Sequence, residues 1–134
     1  MKQICYVSYL SDGFSVNETI ESIKQVSKIK NKKYGLTGRL AYSKEIFLQF
    51  LEGDDINVDI TYTMIQNDER NHGNQVLFIQ ESEERFYPEW DMNFNYVEKI
   101  DLVSINKVLQ LAQRARTQNH FQKSEVEKIF EDYE

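Results

Sequence analysis

A single cysteine, Cys5, among 134 residues rules out an internal disulfide, and two histidines beside it leave no ligand set for a zinc cluster. No apolar run approaches the roughly 20 residues of a membrane span, and the first residues lack the apolar core of a signal peptide. Basic charge is short as well. The 16 Lys and Arg face 22 Asp and Glu, and the formal net charge of −6 lacks the basic footprint of a general nucleic-acid binder. There are no internal repeats, low-complexity segments or phosphate loops. His72 and His120 have no nucleophile or paired carboxylates at a recognisable spacing. These absences set the expectation of a soluble, cytoplasmic, non-enzymatic domain that binds neither nucleic acid nor membrane.

What is present is one domain's worth of core. Aromatic residues make up 13% of the chain, with 8 Tyr and 8 Phe, which argues against disorder despite a 28% charged fraction. The run Ile46-Phe47-Leu48-Gln49-Phe50-Leu51-Glu52-Gly53 reads as a strand apolar on both faces except for one glutamine. Phe47, Gln49 and Leu51 share one face by the period of two, while Ile46, Leu48 and Phe50 line the other. Such a strand lies in the middle of a sheet covered on both sides. An unpaired buried amide costs about 1–3 kcal/mol, so something polar must meet Gln49: a core neighbour or a ligand with hydrogen-bonding edges.

The punctuation divides the rest of the chain. Ile4 to Tyr9 alternates as a first strand, with Cys5 as a small core residue, and Asp12-Gly13 ends it. Ser15-Val16-Asn17-Glu18 has the form of a capping box, and Val16, Ile20, Ile23 and Val26 follow as the apolar stripe of a helix. That helix is expected to give way at the polar stretch Lys28 to Lys33. Gly35-Leu36-Thr37-Gly38 opens a second strand, and Ser43-Lys44-Glu45 turns it into the strand of Gln49. Gly53-Asp54-Asp55 starts a second helix with stripe Val58, Tyr62 and Ile65, which Asn71 or Gly73 should stop. A fourth strand is expected over Gln75 to Gln80. Pro88, the only proline, falls in a loop before a short edge strand over Trp90 to Phe94.

Strand, helix, two strands, helix and strand make the ferredoxin-like split unit, an α+β βαββαβ(β) sheet. In that order the first and third strands are central neighbours. Tyr6 and Gln49 can then stand side by side on the face covered by the two helices.

At this point the residues resemble a known family. Tyr6-Val7-Ser8, Asn31, Gly35-Leu36-Thr37-Gly38, Phe47-Leu48-Gln49 with Leu51-Glu52-Gly53, Asp68-Glu69-Arg70 and Trp90-Asp91-Met92 are similar, in order and spacing, to the BLUF blue-light receptors. The resemblance covers roughly residues 2 to 97. It implies a non-covalently bound oxidised flavin between the two helices, FAD by expectation, with FMN or riboflavin as alternatives. Ile23 and Ile65 match the aliphatic residues that sandwich the ring. Asn31 matches the asparagine that pairs with its pyrimidine edge, and Asp68 and Arg70 match the polar pair near its carbonyl and imide groups. Tyr6 matches the photochemical electron donor, and Gln49 the amide that links it to the flavin and switches a hydrogen bond at O4. Trp90 and Met92 match the pair that relays the signal.

Taken singly, each residue has an ordinary structural reading. Tyr6 suits a core tyrosine, Asn31 a helix C-cap, Asp68 and Arg70 a solvated helix end, and Trp90 a core filler. Their joint arrangement around one face favours the flavin. Three positions depart from the family pattern: Lys30 precedes Asn31, Asn71 with His72 one place later follows Arg70, and Met64 replaces a basic residue common on the second helix.

Residues 1–98 form the expected sensor unit, and 99–134 a helical extension of the same globule. Leu102, Ile105, Leu109 and Ala112, then Val126, Ile129 and Phe130, have helical spacing and should cover the sheet face opposite the flavin. Without an effector in the chain, output is expected through an unidentified protein partner or homo-oligomer assembly. The competing reading is a non-photochemical small-molecule or oligomerisation module on the same fold.

Overall fold

The computed structural model of the protein describes residues 1–43, 45–88, 93–96, 110, 113–114 and 120–131. Its elements are β1 (Lys2–Leu10), α1 (Val16–Tyr34), β2 (Thr37–Ser43), β3 (Ile46–Gly53), α2 (Asp55–Gln66), β4 (Asn71–Glu81), β5 (Asn93–Tyr96) and α3 (Lys123–Glu131). The sheet runs β4-β1-β3-β2-β5, antiparallel except for the β2–β5 pair. This is the expected ferredoxin-like arrangement with one added edge strand. β3 sits in its middle, and all eight of its residues are buried, as a strand without a solvent face must be.

Three boundaries differ from the sequence reading. α1 continues through Lys28–Lys33 to Tyr34, because lysine carries little helix penalty. Gly35, in the left-handed region at φ +64°, is the first residue able to end it as a C′ glycine does. Asn31 is therefore not a C-cap. α2 ends at Gln66, before Asn71 and Gly73, which belong to an early-starting β4. Asn71 still serves the helix end from the strand, its Nδ2 donating to Ile65 O at 2.9 Å and Asp68 O at 3.0 Å. The edge strand is Asn93–Tyr96, while Trp90, Asp91 and Met92 lie outside the described residues. At the start of α1 half of the capping box is present, with the Glu18 N–H donating to Ser15 Oγ at 3.4 Å.

Alternation splits the core into two layers. Above the sheet, Ile4, Tyr6, Leu40, Tyr42, Phe47 and Leu51 meet Ile20 of α1 and Val58 of α2, with Ile23, Tyr62 and Ile65 packed against them. Below it, Cys5, Val7, Ala41, Leu48, Phe50, Leu77 and Phe78 meet Phe86, Tyr87 and Phe121, together with Val126 and Phe130 of α3. The opposite face is thus covered by C-terminal residues, as expected. Of the C-terminal residues expected there, Leu102, Ile105, Leu109 and Ala112 lie outside the described residues. Gly38 lets β2 approach β3, since a Cβ there would lie 2.0 Å from Phe50 O.

Candidate functional site

Between α1 and α2, above the sheet, lies a cavity of about 460 Å³, within the range of roughly 300–1,000 Å³ for small-molecule sites. Strand residues Ser8, Leu40, Phe47, Gln49 and Leu51 form its floor. Thr19, Ile23 and Val26 supply the α1 wall, and Ile60, Thr61, Met64 and Ile65 the α2 wall. Helical spacing explains both sets: Thr19, Ile23 and Val26 recur every three or four residues, as do Ile60 or Thr61 with Met64 and Ile65. Asp68, Arg70 and Asn71 give the cavity a polar end.

Gln49 comes from β3 and Tyr6 from β1, opposite each other in the register. The Tyr6 hydroxyl donates to Gln49 Oε1, which supplies the polar partner of the amide's oxygen. Gln49 lines the cavity, whereas Tyr6, 1% exposed, stands behind it and reaches the cavity through that bond. Tyr62 of α2 fixes the Tyr6 ring from the other side by an edge contact, with centroids 4.8 Å apart. Burial, and then the neighbouring Tyr62 and Cys5, push the Tyr6 phenol well above its ordinary range. It stays neutral at any ordinary pH.

Asp68 and Arg70 sit in the turn after α2. The Arg70 fork grips the carboxylate, Nε to Oδ1 at 3.0 Å and Nη2 to Oδ2 at 2.5 Å, and the Arg70 N–H also donates to Oδ1. Arg70 Nη1 reaches across to Ser22 Oγ of α1 at 2.8 Å, tying the two helices together at the polar end. The Arg70 hydrogen bonds hold Asp68 below the usual carboxylate range against the opposing effect of burial. The pair is an ordered ionic edge rather than the solvated helix end read for these residues singly.

The expected site residues Tyr6, Gln49, Ile23, Ile65, Asp68 and Arg70 therefore converge on one cavity and its immediate support. Asn31 lies in the closing turns of α1, and its side chain, like Trp90 and Met92, is outside the described residues. Sequence reading missed Ser22, Asn71 and the buttressing role of Tyr62. Ser22 carries no periodic signal, while Tyr62 was visible only as one member of an apolar stripe. Among the described residues, no group of three or more His, Cys, Asp or Glu could hold a metal ion. Nor is any helix among them long and apolar enough to cross a membrane.

Val26, Ile60 and Met64 face this cavity yet are 45%, 54% and 50% exposed. Apolar walls left open to solvent mark a place where an apolar body binds. Hydrophobic walls, one buried amide and an ionic end together suit a largely apolar ligand with a polar edge, and Ile23, Ile65, Gln49, Asp68 and Arg70 would be the residues to hold it. The fold and site define a ferredoxin-like ligand-binding domain of this kind.

The comparisons with known proteins carry this further. A family model described as BLUF, sensors of blue-light using FAD, matches residues 1–93. The chain belongs to the BLUF family: it binds a flavin and is a sensor of blue light. The photoactivated adenylate cyclase subunit alpha of Euglena gracilis is 29% identical over 101 residues, 75% of this chain and 10% of that protein. The chain thus spans about a tenth of the length of the curated relatives it matches. A bacterial light-regulated adenylyl cyclase superposes with a TM-score of 0.69 at 30% identity, covering 87% of this chain and 34% of that one. BlsA in its photo-activated state shares the fold over 98% of this chain and 93% of its own, with a TM-score of 0.70 at 20% identity.

Proposed function

We propose that this chain senses blue light through Tyr6 and Gln49 and passes the signal to another protein or to further copies of itself. The observation that carries the reading is the Tyr6 hydroxyl donating to Gln49 Oε1 at the cavity floor. An oxidised flavin, when bound, supplies the blue-absorbing chromophore and, once excited, a strong oxidant. Tyr6 is a neutral phenol kept so by burial, so it cannot give up an electron towards the cavity without shedding its proton. Gln49 Oε1 is the acceptor already in place. The amide can accept at one end and donate at the other, and the return of electron and proton to Tyr6 leaves it rotated or tautomerised. Its altered donor would be offered to a polar edge of the bound flavin. No covalent bond is made, and each residue ends with the electrons it began with.

Ile23 and Ile65 would grip the ring faces, while Asn31, Asp68 and Arg70 would hold its polar edge. FAD is the expected form, with FMN and riboflavin as alternatives, because Met64 offers no charge for a phosphate. Trp90 and Met92 are the proposed relay by resemblance. The unit formed by residues 1–98 and the extension 99–134 act as one globule, supported by Phe121, Val126 and Phe130 packing into the lower core. The chain carries no enzymatic step of its own in this reading, since the match to the cyclase subunit spans only 10% of that protein. A cytoplasmic site fits the free, buried Cys5.

The test is an infrared light-minus-dark difference spectrum of the flavin-loaded protein. The reading expects a light-induced downshift of the ring's C4 carbonyl that disappears in Gln49→Leu. A downshift that survives in this variant would assign the new hydrogen bond to another group.

A further inference from the structure

Across the sheet face turned away from the cavity, where Arg39 lies over the Phe130 ring, three more buried polar side chains form a line. Gln3 of β1 is the register partner of both Glu52 on β3 and Gln80 on β4. The three are 0%, 0% and 7% exposed. Gln3 Nε2 donates to Glu52 Oε2 at 2.9 Å, and Gln80 Nε2 donates to Gln3 Oε1 at 2.7 Å. At one end of the line the Glu52 carboxylate accepts the main-chain N–H groups of Phe86 and Tyr87 at 2.9 and 2.8 Å. At the other end the Gln80 amide takes both polar groups of one peptide residue. The Phe121 N–H donates to Oε1 at 2.7 Å, and Nε2 donates to Phe121 O at 2.8 Å.

The direction of every bond is set. Each partner of the Glu52 carboxylate is a donor: Gln3 Nε2, the Thr37 hydroxyl at 3.3 Å, and two main-chain amides. An acceptor-only carboxylate turns the Gln3 amide so that its oxygen points to Gln80. That in turn leaves the Gln80 oxygen for the Phe121 N–H. Buried bonds in a chain polarise one another, and an orphaned member in an apolar layer is costly, so the line favours being wholly closed or wholly open.

We infer that Glu52, Gln3 and Gln80 form a latch that fastens the C-terminal segment to the sheet and couples its release to that of the Phe86–Tyr87 stretch. Glu52 lies on β3 with Gln49, so the latch hangs from the strand that floors the cavity. Phe121 is its keeper, two residues ahead of α3, with its ring stacked on Phe78 at 4.4 Å. Gln80 is a positioning residue: it acts through Phe121 and touches nothing in the cavity.

The test is amide hydrogen exchange on the full chain carrying Gln80→Met, which keeps side-chain length and removes the amide. The variant removes three bonds, Gln80 Nε2 to Gln3 Oε1, Gln80 Nε2 to Phe121 O and the Phe121 N–H to Gln80 Oε1, so exchange at the Phe121 N–H should rise at least about tenfold. If the latch is one unit, the Phe86 and Tyr87 N–H groups rise with it by about threefold or more, while α2 amides keep their rates. Flavin uptake and the absorption spectrum stay as in wild type, which separates this outcome from any failure of the light-sensing reading. Faster exchange at Phe121 alone, or none there, overturns the latch. Should the variant fail to fold, wild-type exchange in rising urea decides. One opening shared by Phe121, Phe86 and Tyr87, with a urea slope below that of global unfolding, supports the latch. Separate openings, or exchange only by global unfolding, overturn it.

Discussion

Tyr6 and Gln49 face each other across the β1–β3 ladder, and the phenol hydroxyl donates directly to the amide oxygen. Both stand on central strands covered on two sides, so the backbone and not a loop fixes their relation. A proton donor and its acceptor held this way keep their geometry through a photochemical event.

Gln49→Leu should fold and take up flavin but lose the light response. Leucine matches the amide in bulk, yet leaves the buried Tyr6 hydroxyl without its partner, at a cost of about 1–3 kcal/mol in unfolding free energy. Urea denaturation checks the stability, and absorption under blue light checks the response.

Acid should act on the polar end of the cavity through Asp68. The Arg70 fork lowers its pKa in the folded protein, so the pair's stabilisation is fully present above the ordinary aspartate range, about 4. It is lost as pH falls through the lowered value and the carboxylate protonates. Arg70→Gln removes that contribution. The gap in urea midpoint between wild type and variant should therefore be constant at neutral pH and narrow in acid to the share that the Ser22 hydrogen bond contributes at every pH. A gap unchanged well below pH 4 would assign the whole loss to the Ser22 hydrogen bond instead.

Met64 is half exposed at the cavity wall, at the position where the family resemblance puts a basic residue toward the flavin phosphate or ribityl tail. Met64→Arg should raise affinity for FMN and FAD over riboflavin by about two- to fivefold, the yield of an exposed charge pair. Titration of apoprotein with the three flavins measures the ratio. Equal gains for all three would mean that the arginine stem, and not its charge, makes the contact.

Light should alter protection in the region following Pro88, where Trp90 and Met92 lie, or the oligomeric state. Hydrogen exchange and sedimentation in dark and light test this. Identical protection over residues 88–134 and identical sedimentation would send the signal out through another surface.

Much of this was legible in the sequence, and the reasons are local. A strand apolar on both faces had to be central, and a period of two then placed Tyr6 and Gln49 on one side. What could not be read depends on contacts distant in the chain. The charged run Lys28–Lys33 suited a loop as well as a helix until Gly35 fixed the stop. Asn71 looked like a helix terminator because it does bond Ile65 O and Asp68 O, but it does so from a strand. Glu52 was visible as part of Leu51-Glu52-Gly53, yet its role needed Gln3 and Gln80, residues brought beside it only by the sheet order.

The most direct test of the account is the light-minus-dark absorption difference of flavin-loaded Tyr6→Phe beside wild type. The substitution keeps the ring against Tyr62 and removes only the hydroxyl that donates to Gln49. The account predicts a reversible red shift in wild type and none in Tyr6→Phe, with flavin bound equally in both. A normal red shift in Tyr6→Phe would contradict it and remove Tyr6 from the mechanism.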